Sequence, residues 1–206
     1  MPLVTRLTGR RDRVKVFVDG EFWAELDAGV AAERGLSEGT ALSEEELAEA
    51  RVAGERPLAM SRALNVLGYR ARSARELRER LVRVGYLGET VDEVISRLEE
   101  LGYLNDEEFA RELARSEARK YGPRRIYGDL RRAGIEEEAA REVVEEEFAG
   151  RSEHEAARAA AERRYNTAVE GSDAQVRRVY GFLVRRGYSA SICAEVAREY
   201  RREADQ

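Results

Sequence analysis

The sequence predicts a mainly α-helical protein of three tandem three-helix repeats in an elongated array, preceded by a small N-terminal region with a β-hairpin and short helices. Three observations predict it. The hexapeptide pattern Leu-x-Arg-x-Gly-Tyr/Ile occurs three times, as LVRVGY (81–86), LRRAGI (130–135) and LVRRGY (183–188). The N-terminal segment alternates as strands do. The composition, 37% charged with only 3 Pro in 206 residues, favours helices.

The hairpin is predicted at residues 13–26. Valines alternate there with polar or aromatic residues as far as Asp19-Gly20, and a second apolar run follows. An Asp-Gly pair between two such runs is typical of a tight turn whose two residues take positive φ. Since two strands alone are only marginally stable, we expect this hairpin to pack on another element.

Two helices should follow the hairpin. A short helix is expected at 28–34, and another begins after Ser43, because Glu46 stands three residues later as in a capping box. We interpret residues 54–57 (GERP) as a loop, with Pro57 suited to the first turn of the next helix. From there the pattern is helical to the C-terminus.

The repeat register is defined by Gly85, Gly134 and Gly187, which are separated by 49 and 53 residues. Apolar residues recur eight and four positions before each glycine and six and nine positions after it: Leu77, Ile126 and Val179; Leu81, Leu130 and Leu183; Val91, Ala140 and Cys193; Val94, Val143 and Val196. These spacings place each set on one face of a helix. We therefore predict two helices that pack together, with the glycine ending the first of them in a left-handed conformation.

An upstream helix completes each repeat, at 58–68, 107–121 and 152–165. The predicted domains are an N-terminal extension (1–57) and three-helix repeats at 58–104, 105–150 and 151–206.

The residue types argue against an enzyme. Cys193 is the only cysteine and His154 the only histidine, so one chain holds no disulfide framework and no Cys/His metal cluster. No phosphate-binding loop, nucleophile elbow or zinc-binding helix motif occurs. We expect no catalytic residues, no metal and no cofactor, with Cys193 in a core and His154 on the surface. No long apolar run occurs, and we expect a cytoplasmic monomer with no membrane partner.

Charge alternates between neighbouring helices. The middle helix of the first repeat (70–83) carries a net charge of +4 and the next (89–101) −4; in the second repeat the values are +5 (119–132) and −6 (136–147). The last helix (189–203) has no acidic excess. Two interpretations remain open: solvated helices that attract their neighbours, or a binding surface. A helix-turn-helix protein reads DNA with the helix after the turn, which is acidic here, so any nucleic-acid contact should use the middle helices and phosphate.

The segment from about 58 to 202 resembles the RecX family, the bacterial regulators of the RecA recombinase. The most specific parts are RxRSxxELRxxL (70–81) and LGYLNDxxFA (101–110), whereas residues 1–57 match only loosely. The resemblance implies a non-enzymatic protein without cofactors that binds RecA filaments on DNA. It would modulate, and mainly inhibit, recombinase, ATPase and coprotease activity in homologous recombination, DNA repair and the SOS response, by capping the filament or by lying in its groove.

Charge alone selects the candidate contacts with the filament or its DNA: Arg72, Arg75, Arg124, Arg125, Arg131 and Arg132. Two other functions remain as alternatives. One is a direct DNA-binding protein with tandem helix-turn-helix units, and the other is a helical adaptor for a different protein.

Overall fold

The computed structural model describes residues 1–165 and 173–202. The chain divides into two compact units, Met1–Asn105 and Asp106–Gln206. Part of the predicted third repeat, including Glu203 of its last helix, lies outside the described residues. In the part of the chain described, no helix is long and apolar enough to cross a membrane.

The first unit begins with an antiparallel sheet of three strands, β1 (Val4–Arg10), β2 (Arg13–Val18) and β3 (Glu21–Asp27), in the order β1-β2-β3. The predicted hairpin is confirmed as β2 and β3. Val18 pairs with Glu21 across the turn, in which Asp19 and Gly20 take φ of 48° and 89°. The sequence did not predict β1, on which Val4 alone is fully buried.

Two helices pack on this sheet. The predicted short helix is confirmed as α1 (Ala28–Glu33), which starts where Asp27 Oδ1 accepts a hydrogen bond from the amide of Val30 at 3.0 Å. The second helix, α2, covers Glu44–Leu67 and starts at the predicted capping box of Ser43 and Glu46. The hairpin therefore does pack on another element, as expected.

The loop predicted at residues 54–57 is wrong, because α2 continues through it for 24 residues with Pro57 inside. Packing explains the difference. Gly54 lies against β3, where a Cβ atom would come within 2.9 Å of that of Leu26, and Leu58 and Ala59 are buried. An internal proline removes one backbone hydrogen bond, and burial on both sides of it offsets that cost. The domain bounds stay a prediction, and α2 crosses the first of them.

Three repeats follow in the chain. Repeat 1 consists of the C-terminal half of α2 with α3 (Ala74–Val84) and α4 (Gly88–Glu100). Repeat 2 consists of α5 (Asp106–Glu117), α6 (Pro123–Arg132) and α7 (Glu137–Phe148). Repeat 3 consists of α8 (Glu153–Glu162), α9 (Asp173–Arg186) and α10 (Ala190–Arg202).

The predicted register is confirmed. All twelve apolar register positions are at most 5% exposed, and each repeat forms its own hydrophobic core. Gly85, Gly134 and Gly187 take φ of 109°, 95° and 85°, so each ends its helix in the left-handed region. In repeats 2 and 3 the residue after the glycine turns back, since the amides of Ile135 and Tyr188 donate to carbonyls five residues earlier at 3.1 and 3.2 Å.

A glutamate on the first helix holds the start of the third helix in repeats 1 and 3. Glu55 of α2 accepts the amide of Leu87 at 2.8 Å, just before α4, and Glu153 of α8 accepts the amide of Ser189 at 2.6 Å, just before α10. Leu87 has no side chain that can cap α4, so the cap comes from another helix. Glu55 is only 3% exposed and also accepts Arg51 Nε at 2.8 Å.

The two residues that might have suggested chemistry have structural roles. Cys193 lies in the core of repeat 3 as predicted, where burial, and secondarily Glu153, raise the pKa of its thiol. His154 lies at the surface as predicted but is only partly exposed: the side chain is about 30% exposed, and its Nε2 lies 2.7 Å from Glu199 Oε1 on α10. It thus joins α8 to α10.

Candidate functional site

The segment that leads into α3 is organised around Glu76. Ser73 Oγ caps α3 by accepting the amide of Glu76 at 3.1 Å. The Glu76 carboxylate lies between two arginines, with Oε1 3.0 Å from Arg70 and Oε2 3.8 Å from Arg72. The pattern RxRSxxE therefore builds the start of a helix. Arg72 is drawn into this network and its side chain is only 18% exposed.

The outer face of α3 carries two well-formed ion pairs. Arg75 Nε lies 2.9 Å from Glu79 Oε1, one turn further along the helix. Arg78 donates from two nitrogens to the two carboxylate oxygens of Asp92 on α4, at 2.8 and 3.0 Å. This bidentate hydrogen bond, more than the charge alone, holds the pKa of Asp92 below its usual range and raises the pKa of Arg78.

A shallow cleft opens between the end of α2 and α3. It is lined by three arginines and three other side chains: Arg62, Asn65, Val66, Tyr69, Arg72 and Arg80. No carboxylate is among these lining residues. We call this feature the arginine cleft.

Four predicted arginines belong to repeat 2. Arg124 and Arg125 lie in the first turn of α6, and Arg131 and Arg132 lie at its end. Arg125 and Arg132 both pair with Asp129, which lies between them on the same helix. Arg131 donates to the carbonyl of Ile135 at 2.7 Å, beyond the helix end. Arg124 is exposed and forms no side-chain ion pair with any described residue.

The start of α6 also contacts the end of α9, so repeats 2 and 3 touch within one unit. A Cβ atom on Gly187 would lie 2.4 Å from that of Arg125. Arg186 of α9 donates to the carbonyl of Lys120 at 2.8 Å, and its guanidinium lies 5.0 Å from the ring centres of Tyr121 and Phe182. Arg125 therefore has a packing role between repeats in addition to its charge.

The alternating charges are explained only in part by attraction between neighbouring helices. Arg78 and Asp92 join α3 to α4, but among the described residues no ion pair joins α6 to α7. The acid-rich α7 instead pairs with Arg111 of α5, with Arg151 and within itself. The exposed basic side of α6 thus has cations that are not neutralised by the helix that follows it.

The structure brings the six predicted arginines into two groups, one in each compact unit. Arg72 lies just before the start of α3 and Arg75 lies in its first turn, and the other four lie on α6. Sequence reasoning did not select Arg62, Asn65, Tyr69 or Arg80, which line the arginine cleft with Arg72. One signal was available: Arg62 has no acidic residue three or four positions away on its helix, so no local ion pair could neutralise it.

Family models for the three RecX domains match the repeats in order. The first three-helix domain matches residues 59–98, the second 105–144 and the third 152–196. These ranges agree with the three cores described above.

Similar proteins carry the name regulatory protein RecX. The Lactobacillus gasseri protein is 31% identical over 72% of this chain, and the Bacillus licheniformis protein is 26% identical over the whole chain and 80% of its own length. The matches cover 58% of the L. gasseri protein and 57% of the Bacillus velezensis protein, so the chain spans less than two thirds of the length of these two relatives.

Two solved structures have the same fold. A crystal structure of regulatory protein RecX matches 97% of this chain and all of its own with a TM-score of 0.58 at 22% identity. RecX from Lactobacillus salivarius matches 71% of this chain and 96% of its own with a TM-score of 0.54 at 21% identity. With all three domain models matched in register with three observed helical cores, the chain belongs to the RecX family.

Proposed function

We propose that this protein binds RecA filaments on DNA and regulates them, mainly by inhibiting ATP hydrolysis, strand exchange and coprotease activity in recombination, DNA repair and the SOS response. The observation that carries the proposal is the ordered match to three RecX domains over residues 59–196. The role is regulatory and not catalytic, and it uses no cofactor. In this proposal the protein acts in the cytoplasm and as a monomer.

The arrangement of arginines supports a contact with an acidic surface or with phosphate. Arg75 and Arg124 are exposed, and exposed guanidinium groups form strong bidentate hydrogen bonds with carboxylates and phosphates. Arg72, Arg125, Arg131 and Arg132 belong to the same proposed contact set. Each of these four also bonds within the chain, so their substitution would disturb the fold as well as the contact. Arg75 pairs with Glu79, but both side chains are exposed, and the loss of such a pair costs little stability.

The test is the ATPase activity of RecA on single-stranded DNA, measured with increasing amounts of this protein. We expect inhibition at amounts below those of RecA. The informative variant is Arg75→Gln with Arg124→Gln, since a charge-assisted hydrogen bond contributes about 1.5–3 kcal/mol. We expect it to need roughly ten times more protein for half inhibition, or more.

The matched control is Arg97→Gln with Arg141→Gln. These residues are exposed on α4 and α7 and carry the same total charge. Each of them, like Arg75, is paired about one turn away within its own helix, but neither belongs to the proposed contact set. Equal inhibition by the two variants would refute the contact set. No inhibition by the unaltered protein, even in excess over RecA, would refute the function itself.

The acidic third helices disfavour the direct DNA-reading alternative. Tight, sequence-selective binding to duplex DNA without RecA, weakened by changes on α4 or α7, would instead establish it.

A further inference from the structure

The arginine cleft differs from the other basic surfaces of repeat 1 because its charges are not neutralised. Among the described residues, Arg62 and Arg80 take part in no ion pair. Glu76 stands four residues before Arg80, as an ion-pair partner would, yet its carboxylate is used by Arg70 and Arg72. The neighbouring Arg75 and Arg78, in contrast, each have a carboxylate within 2.9 Å.

Arg72 adds a third cation to the cleft, and the neighbouring residues that the structure describes do not satisfy all of its hydrogen-bond donors. Its Nε is buried without a hydrogen-bond partner in the described part of the chain, and Glu76 is 3.8 Å from its NH1. Burial lowers the pKa of Arg72, and the positive charges of Arg70 and Arg80 lower it further while Glu76 opposes them. Three guanidinium groups around one cleft repel each other, and an anion bound between them would relieve that repulsion.

The second component of the cleft is an aromatic side chain left in water. Tyr69 is 89% exposed, directly after α2 and beside the arginines. Among the described aromatic residues just after helix ends, Tyr69 is the most exposed: Tyr103 after α4 is 60% exposed, whereas Tyr86 packs on the core of repeat 1 and Tyr188 is 3% exposed. An exposed ring next to a basic groove offers a surface on which a nucleobase can stack.

Cations and ring together select the kind of anion. An acidic peptide could pair with the arginines but would leave the tyrosine ring without a partner. A duplex presents phosphates, but its bases are stacked on each other and offer no free face. A single strand supplies both a phosphate chain and unstacked bases, and the amide of Asn65 can hydrogen-bond to a base edge.

We propose that the arginine cleft is a binding site for single-stranded nucleic acid, in which Arg62, Arg72 and Arg80 hold backbone phosphates and Tyr69 stacks on one base. The site belongs to repeat 1 and needs no RecA. The cleft shares Arg72 with the contact set proposed above, but its binding is measured without RecA, so either proposal can fail without the other.

The test uses the full-length protein without RecA and a labelled oligothymidylate of about 12 nucleotides, within the ~4–16 nucleotides that single-strand sites cover. Binding is followed by fluorescence anisotropy over a range of salt concentrations. The first variant is Arg62→Gln with Arg80→Gln, both exposed. We expect about tenfold weaker binding at low salt, and a slope of log K against log salt that is shallower by about 1.4, since each phosphate contact contributes ~0.7.

The matched control is Arg34→Gln with Arg97→Gln, two exposed arginines of the same unit outside the cleft. It removes the same charge and should leave the slope unchanged. Tyr69→Ala should weaken binding fivefold or more at constant slope, because stacking on one base is lost, and Tyr69→Phe should restore it. Circular dichroism checks that each variant is folded.

Several results would overturn the site. One is an equal loss in the cleft variant and the control, which would show a general charge effect. A second is equal binding of Tyr69→Ala and the unaltered protein, and a third is duplex DNA of the same length binding as tightly as the single strand. Competition by a poly-glutamate peptide at equal strength would assign the cleft to an acidic protein segment instead.

Discussion

The backbone amide of Arg124 donates a hydrogen bond to the carbonyl of Gly187, with 3.1 Å between the two atoms. Beside it, the amide of Gly122 donates to the carbonyl of Arg186 at 2.8 Å. The C-terminal end of α9 thus supplies acceptors to the N-terminal end of α6. Each helix end satisfies polar groups that a free helix end leaves unpaired. The partial negative charge at the C-terminus of α9 also faces the partial positive charge at the N-terminus of α6, which favours the contact.

The close approach at this joint predicts an unequal effect of two glycine substitutions. Gly85 and Gly187 both have positive φ, but a Cβ atom meets nothing within 4 Å at Gly85 and meets Arg125 at 2.4 Å at Gly187. Gly85→Ala should cost about 1–2 kcal/mol of backbone strain. Gly187→Ala should cost about 1–3 kcal/mol more, because atoms at the joint must move apart. Urea unfolding of the two variants measures the difference.

Gly128→Ala is the control for that comparison. This glycine lies inside α6 with nothing within 4 Å of a Cβ atom, so alanine should stabilise the protein by about 0.5–1 kcal/mol. Equal losses of unfolding free energy in Gly85→Ala and Gly187→Ala would contradict the close contact between Gly187 and Arg125.

A second prediction concerns the buried Glu55. Glu55→Ala leaves the amide of Leu87 and the Arg51 side chain without their acceptor, and we expect a loss of about 1–3 kcal/mol in the free energy of unfolding. Glu55→Gln keeps one oxygen that can accept the Leu87 amide and should lose less. Thermal and urea unfolding compare the two, and a glutamine variant as unstable as the alanine variant would show that the charge, and not the cap, matters.

A third prediction is a pH dependence at Arg78 and Asp92. Because the pKa of Asp92 is lowered in the folded protein, the folded state binds fewer protons than the unfolded state as this group titrates. The stability it contributes is present at neutral pH and is lost as the pH falls through its lowered pKa, below about pH 4. Asp92→Asn should therefore be less stable than the unaltered protein at pH 7, and the difference measured by urea unfolding should narrow as the pH falls below about 4.

A fourth prediction concerns Cys193. Its thiol is fully buried and its pKa is raised, so little thiolate forms and reagents have no access. Labelling by a thiol-specific disulfide reagent should be slow in the native protein and fast in urea. In a Cys193→Ala background, Val82→Cys, at a position 42% exposed, should label at once. Rapid native labelling of Cys193 would mean that the core of repeat 3 opens readily.

The sequence was most informative where one physical requirement acts locally. Leu77, Leu81, Val91 and Val94 repeat because two helices must bury one face each, and a helical period reports this directly. The left-handed glycine of each corner follows from the same local geometry. Strand β1 was not predicted because only Val4 is a buried apolar residue. Its other positions are threonine, arginine, glycine or a partly buried leucine, which show no alternation.

The candidate contacts depended on tertiary structure and were less accessible to sequence reasoning. Net charge per helix shows where arginines are, but not which ones are paired. Arg125 and Arg132 share Asp129, whereas Arg80 loses Glu76 to two residues that precede the helix. Arg62 lies on the helix predicted at 58–68, but that it shares a cleft with Arg80 depends on how this helix packs on α3, which net charge per helix does not report.

The continuity of α2 has a practical consequence for anyone who dissects this protein. One rigid rod belongs both to the sheet and to repeat 1, so the two should melt together and exchange their amide protons together. A fragment that starts at residue 58 would begin in mid-helix and lack Glu55, the acceptor that caps α4. The N-terminal region is thus an integral part of the first repeat's stability, and an excised first repeat will hold its shape only if the cut is made before Ser43.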